Sequence, residues 1–289
     1  MLKLRVGGVA EHYNLPWHLL GETGKLEGIG VAMQWQDCPG GTGEMTRLLE
    51  SNELDLAVLL TEGMVAERLK GSKSKILKVF VKSSLEWGVH VSKDVASLDQ
   101  DQMITFGVSR FGSGSHHMAK LYAHTQGIPK NRIAFSEVGS LDGAMEAFNK
   151  RAIDVFLWER FTTEPYCHVN NLKRIDSIYT PWPCFVIAAR SEFYQANQRK
   201  VDDVLDLVIN QAEALKQHPN AIEMITARYD LPAGRVAKWF ETVEWGSGEN
   251  LSASEIETVV KNLKQSGDLA KEIESFEKQT NSHTTLLSA

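Results

Sequence analysis

The chain has 289 residues, with 31 Lys+Arg against 37 Asp+Glu and a net charge of -6 at pH 7. That length exceeds what one compact core needs, and 43% hydrophobic with 24% charged residues is ordinary globular composition, not that of a disordered chain. The missing basic excess argues against a nucleic-acid binder, no apolar run approaches the roughly 18 residues of a membrane span, and the three cysteines, Cys38, Cys167 and Cys184, lie too far apart for a disulfide framework or a zinc cluster.

Leu2-Lys3-Leu4-Arg5-Val6 alternates apolar and basic residues before Gly7-Gly8 and reads as a strand over Leu2–Val9. It is not a secretory leader, which needs a basic patch, an unbroken apolar core and a small-residue cleavage site. The expectation is a cytoplasmic protein; a periplasmic or extracellular place is the alternative if a leader was removed.

Further strands are expected at Ile29–Trp35, Leu54–Leu60, Ile76–Val81 and Trp87–Ser92, with a glycine loop and a helix between the second and third. The middle of the chain repeats the plan: strands at Ile104–Ser109, Ile133–Val138 and Ile153–Trp158, and helices at His116–Gln126 and Leu141–Lys150. After a strand at Phe185–Ala189, the chain reads as helical: Val201–Gln217, Ala221–Tyr229, Pro232–Phe240, Ser254–Gln265 and Leu269–Glu277. Ser252 and Ser254 are each followed three residues later by glutamate, the spacing of a capping box. The tail from Thr280 to Ala289 reads as fraying.

One stretch lies over another. Met45, Leu48, Asn52, Asp55 and Val58 correspond to Met145, Phe148, Arg151, Asp154 and Leu157, each series an amphipathic helix, a polar turn, an aspartate and an apolar strand. Two related βαβαβ lobes or two unrelated αβ units both give this pattern; the α/β class holds either way.

A strand ending in glycine and aromatic residues near position 10, Gly41-Thr42-Gly43 opening a helix, the run from Leu48 through Asp55 to Ala57, the run from Val108 to Ser115 before a helix, and the helical C-terminal third together resemble the type II periplasmic substrate-binding proteins. Within them the chain looks most like the NMT1/THI5-like group, which includes sulfonate, taurine and pyrimidine-precursor binders. The resemblance spans residues 2 to 240. It implies a two-lobed α/β clamp with a helical C-terminal third: lobe one at 1–93 and 187–289, lobe two at 94–186, and hinge crossings near 92–102 and 180–184. It further implies a non-enzymatic solute-binding protein whose lobes close over a small polar ligand, planar or anionic, and an ABC permease as partner if the protein is exported. No metal and no cofactor is expected. The alternatives are a THI5-like enzyme of thiamine-pyrimidine biosynthesis and a cytosolic ligand sensor or carrier without a transporter.

The residues themselves offer site candidates. Gly112-Ser113-Gly114-Ser115 opens a helix, where glycines admit a ligand to the backbone and unpaired N–H groups favour an anion or carbonyl; a capped helix with nothing bound reads the same. His116 follows it. Gly41 and Thr42 make the same argument on the first lobe, without the Lys-Ser/Thr ending of a phosphate-binding P-loop. Glu11, His12 and Tyr13 follow the first strand and offer an acceptor and stacking rings, or an aromatic staple. Thr61-Glu62 and Trp158-Glu159 sit at matching strand ends, facing ligand or solvent, and Ser83-Ser84 ends another strand. Trp182, between Pro181 and Pro183, fits the stiff crossing that the resemblance implies, or an ordinary surface turn. The pyrimidine synthases resembling this group carry a cysteine-rich motif, of which only Cys184-Phe185 remains here. Gly-x-Ser-x-Gly is not formed either, since Gly114 occupies the serine position, so hydrolase chemistry is not expected.

Overall fold

The structure is a computed structural model that describes residues 1–95, 98, 102–267, 269–279 and 286. In chain order it contains β1 (Leu2–Gly8), a 3-10 turn at His12–Asn14, α1 (Leu15–Glu22), α2 (Lys25–Gly28), β2 (Val31–Asp37), α3 (Gly41–Glu50), β3 (Leu56–Leu60), α4 (Thr61–Leu69) and β4 (Lys75–Val81). There follow β5 (Glu86–Ser92), β6 (Ile104–Val108), α5 (Gly114–Thr125), a 3-10 turn at Lys130–Arg132, β7 (Ile133–Glu137), α6 (Leu141–Asn149), β8 (Val155–Glu159), α7 (Arg160–Val169) and β9 (Leu172–Tyr179). The chain continues with β10 (Phe185–Ala189), α8 (Ser191–Gln217), α9 (Ala221–Tyr229), α10 (Ala233–Thr242), α11 (Ala253–Ser266) and α12 (Ala270–Gln279).

Ten strands form two five-stranded sheets, ordered β2-β1-β3-β10-β4 and β7-β6-β8-β5-β9. In the first, β1 pairs parallel with β2 and β3, and β10 runs antiparallel between β3 and β4. In the second, β6 pairs parallel with β7 and β8, and β5 runs antiparallel between β8 and β9. Strand for strand the two sheets have one topology, the two-lobed α/β architecture expected from the sequence.

The internal repeat has a structural cause. Asp55 precedes β3 and accepts from the backbone N of Arg5 in β1 at 3.0 Å, while Asp154 precedes β8 and accepts from the backbone N of Thr105 in β6 at 2.7 Å. Each aspartate therefore pins the start of its strand to the central parallel neighbour. The turn before each carries a residue at positive φ, Asn52 at 62° and Arg151 at 54°.

The outward crossing needs a correction. The chain leaves the first sheet between Val81 and Glu86 and returns between Tyr179 and Phe185. A crossing near 92–102, with residues up to 93 in lobe one, does not describe these sheets, because β5 is already the fourth strand of the second. The five residues Trp87 to Val91 are all buried, so the strand lacks the in-out alternation that would mark its face, and nothing local says which sheet takes it. Residues 96, 97 and 99–101 of the expected crossing lie outside the described residues, as does the tail from Thr280 onward except Leu286.

Several elements were not expected, β9, α4 and α7 among them. β9 is an edge strand with a mostly exposed pattern and no clean alternation. α4 begins directly at the end of β3, where Thr61-Glu62-Gly63 reads as a loop. α7 contains Pro165, a helix breaker in the sequence, but Glu159 caps its N-terminus by accepting from the N of Phe161 and Thr162 at 3.0 and 2.7 Å. α8 starts at Ser191, earlier than the periodicity shows, with a non-helical residue at Asn197. At α11 the capping box is formed by Ser252 and Glu255.

The C-terminal helices tie the halves together. α11 packs on α4 and on α5, α10 packs on α7, and Arg235 of α10 pairs with Glu164 of α7 at 3.7 Å. One continuous apolar core runs from Leu4 and Val6 of β1 through Val89 of β5 to Val259 and Leu263 of α11. No helix among the described residues is long and apolar enough to cross a membrane.

Candidate functional site

The C-terminal ends of the parallel strands and the N-termini of α3, α4, α5 and α7 converge where the lobes meet, the crevice in which open α/β sheets hold ligands. Between them lies a cavity of about 60 Å³. The lobes stand close together here, with Gly114 against Leu60 and Gly43 against Arg110. Larger surface hollows exist, such as one of about 640 Å³ bordered by Arg68, Lys73, Glu192 and Phe276. They collect neither facing strand ends nor opposed helix N-termini, so topology selects the interlobe cavity.

Of the sequence candidates, Glu11, Gly41, Thr42, Ser113, Gly114, Ser115, Trp158 and Glu159 line this cavity together. Ser113 caps α5, accepting from the N of His116 at 3.3 Å; Ser115 Oγ accepts from the N of Ser109 at 2.9 Å and lies 3.0 Å from Ser113 Oγ. These hydroxyls first order their own loop. Thr42 Oγ1 accepts from the N of Leu60 at 3.2 Å, joining α3 to the end of β3. Gly114 faces the other lobe: a side chain there would overlap Leu60 Cδ1 and press on the Trp87 ring.

The remaining candidates lie outside the cavity lining. Gly112 has φ 78° and donates from its N to His116 Nδ1 at 2.9 Å, and the His116 ring packs edge-on against Phe135. His12 is buried among Tyr13, Tyr229 and Trp239, and burial pulls its pKa down to about 3, so it belongs to the neutral core. Tyr13 packs on Phe185 and Trp239. Thr61 donates from Oγ1 to the Pro183 carbonyl, and Trp182 Nε1 donates to Glu62 Oε2 at 2.9 Å, tying the return crossing to α4. Ser83 Oγ accepts from the N of Glu244 at 3.1 Å, and Ser84 is exposed in the outward crossing. Neither Glu62 nor Glu159 lies in solvent: Glu62 is fully buried, and Glu159 is 3% exposed.

Sequence reasoning missed Arg110, Trp87, Leu85 and Phe185, all cavity-lining. Arg110 stands inside the Val108–Ser115 run that carried the resemblance, and its cation beside the glycine loop was the available signal. Its Nη1 donates to the carbonyl of Gly40 at 2.6 Å across the lobe boundary, while its remaining N–H groups find no acceptor among the described residues. Burial lowers its pKa, with Glu67, Glu137 and Glu44 acting the other way. On the acidic side, loss of water pushes the Glu11 carboxyl up to about 8, and Glu159 adds to the shift. The Cys184 thiol is buried and pushed well up, first by burial and then by Glu62, which leaves it protonated and unreactive.

The sequence profile of the family described as Ca3427-like PBP (periplasmic binding protein) matches residues 87–178. The solved structure of the CA3427 gene product of Candida albicans, described as defining a new family with the generic periplasmic binding protein fold, is 30% identical and superposes with a TM-score of 0.85 over 92% of this chain and 90% of that one. The chain belongs to the Ca3427-like family of periplasmic-binding-protein-fold proteins.

More distant structures share the fold. The alkanesulfonate-binding protein SsuA of Xanthomonas axonopodis pv. citri bound to MOPS gives a TM-score of 0.74 at 13% identity over 94% of this chain and 93% of that one. A ligand-binding component of an ABC-type import system from Staphylococcus aureus with zinc bound gives 0.70 at 13% identity over 92% of each chain. No curated protein matches the chain. Within the Ca3427-like family matched here, the matched profile covers β5 to β9, the lobe that supplies Trp87, Arg110, the α5 N-terminus and Glu159 to the cavity.

Proposed function

We propose that the chain is a non-enzymatic binding protein whose two lobes close over a small polar organic ligand carrying a planar or anionic group. The observation that carries this reading is Arg110 at the interlobe cavity, a guanidinium with donors to spare beside the N-termini of α3 and α5, where helix N–H groups favour negative charge. Trp87, Trp158 and Phe185 supply flat apolar walls for a planar body. The net charge of -6 does not oppose an anion here, because charges beyond about 8–10 Å are screened while local donors are not.

Lobe one takes residues up to Val81 and from Phe185 onward, and lobe two residues 86–179. The hinge lies in the paired crossings at 82–85 and 180–184, and the bridging helices α10 and α11 move with lobe one and slide on α5 and α7. The fold shared with ligand-binding components of ABC import systems supports a permease as the partner of an exported form. The buried Cys184 thiol is a poor nucleophile, which favours binding over synthase chemistry.

A thermal-shift panel of sulfonates, pyrimidines and aromatic carboxylic acids tests the proposal. A ligand at 100 times its Kd adds about 2.7 kcal/mol of stability, and Arg110→Gln abolishes the shift while leaving the apo protein folded. A ligand held equally well by Arg110→Gln, or catalytic turnover of a panel member, overturns it.

A further inference from the structure

The cavity is bipolar, and its acidic end is chemically incomplete. Glu11 reaches it from the end of β1 and Glu159 from the end of β8, one carboxylate from each lobe. Glu159 is satisfied: its oxygens accept from the N of Phe161 and Thr162 and from Thr162 Oγ1 at 2.7 Å. Glu11 accepts no side-chain hydrogen bond among the described residues. The groups that act with it on their surroundings are Glu159, Tyr13, Cys184 and Tyr229, none of them a cation. Arg110 interacts with Glu67, Glu137 and Glu44 instead, and not with Glu11.

A second orphan lines the cavity from the other lobe. Trp87 is 4% exposed and lines the cavity, and its Nε1–H is buried without an acceptor among the described residues. A buried donor left unmatched costs stability, and the half-buried Glu11 carboxylate meets no donor or cation of the protein among the described residues. The cavity wall thus holds an acceptor lacking a donor and a donor lacking an acceptor.

Resting on the reading of this cleft as a ligand site, we infer that its ligand is dipolar: a protonated nitrogen seated against Glu11, and an acceptor or anionic group toward Trp87 Nε1 and Arg110. The bound cation holds Glu11 ionised and screens it from Glu159, so binding at neutral pH releases a proton from Glu11. A ligand that offered Glu11 only an acceptor would keep it protonated and release none.

Matched probes separate these cases: 4-(aminomethyl)benzoate against 4-methylbenzoate, and 4-aminobutyrate against butyrate, by titration calorimetry of the full chain at pH 7 in two buffers of different ionisation enthalpy. The expected result is at least tenfold tighter binding of the amine-bearing member of a pair, with proton release, and loss of that preference in Glu11→Gln. Deaminated members that bind as tightly as the amines, or amine binding without proton release, overturn the inference and leave the cleft as a site for simple anions. Absence of binding by every probe removes the inference together with the anion-binding reading. The proton count is taken on the wild-type chain, so the test stands even if the variant folds poorly.

Discussion

The guanidinium of Arg110, on the second lobe, lies against the α-carbon of Gly43 in α3 of the first, so that any side chain at Gly43 would overlap Nη2, Cζ and Nε. Gly43 is glycine for the sake of the opposite lobe. Its backbone is helical and needs no special φ, and alanine would be favoured there by up to about 1 kcal/mol on helix propensity alone.

Gly43→Ala is therefore expected to leave unfolding stability unchanged or slightly raised while displacing Arg110 from the Gly40 carbonyl. The lobes then part more readily. Small-angle scattering should give a larger radius of gyration for the variant, and any ligand of the wild type should bind it more weakly. Unchanged scattering and affinity would show that Arg110 moves aside at no cost.

Stability should peak near pH 6.5. Glu11 has its folded pKa raised from 4.5 to about 8, so its contribution is complete below pH 4.5 and declines as pH rises toward 8. His12 and His90 are buried neutral, with pKa values lowered from 6.5 to about 3 and about 4, chiefly by burial. Their contribution is complete above pH 6.5 and declines as pH falls toward those values. Melting temperatures from pH 4 to 9 should show both limbs, and Glu11→Gln should make the alkaline limb shallower, leaving the part that Glu62 and Glu159, also raised by burial, contribute. A variant with the same alkaline decline would place its origin elsewhere.

Asp55 is the electrostatic anchor of lobe one. It accepts from Arg5 Nη2 at 2.7 Å and from Arg190 Nη2 at 3.1 Å, and its side chain is 3% exposed. Burial alone would raise its pKa, but the hydrogen bonds from Arg5 and Arg190 bring it below the usual value. Asp55→Ala removes the buried acceptor shared by two partly exposed arginines and should cost about 1.5–3 kcal/mol in urea unfolding. Asp154, whose bond is to a backbone N without an arginine, should cost less on the same substitution.

The pair Trp182 and Glu62 fixes the return crossing. Glu62 Oε1 is already without a hydrogen bond among the described residues, so Trp182→Phe removes the one side-chain donor on this carboxyl. Loss of about 2–3 kcal/mol is expected. Adding Glu62→Leu should recover part of it by removing the stranded acid. If the double variant is as unstable as the sum of the singles, the two residues are not coupled.

Much of the fold is legible in the sequence because its causes are local. The alternation of Leu2 to Val6, the periodicity of Val204, Leu207 and Val208, and the Ser252–Glu255 capping box each act within a few residues of where they are read. They determine two α/β lobes and a helical C-terminal third.

The tertiary structure decided the rest. Which sheet takes β5, and that His12 belongs to an aromatic core with Tyr229 and Trp239 rather than to the cleft, depend on partners far away in sequence. The cavity is the clearest case: Gly43 and Arg110, Glu11 and Glu159, Gly114 and Leu60 are pairs drawn from opposite lobes. Burial and charge coupling are properties of such juxtapositions, and no short-range pattern encodes them. The charge of -6 that opened the reading is a sum over the whole chain, whereas the polarity that matters for binding is set by a few groups that only folding brings within reach of one another.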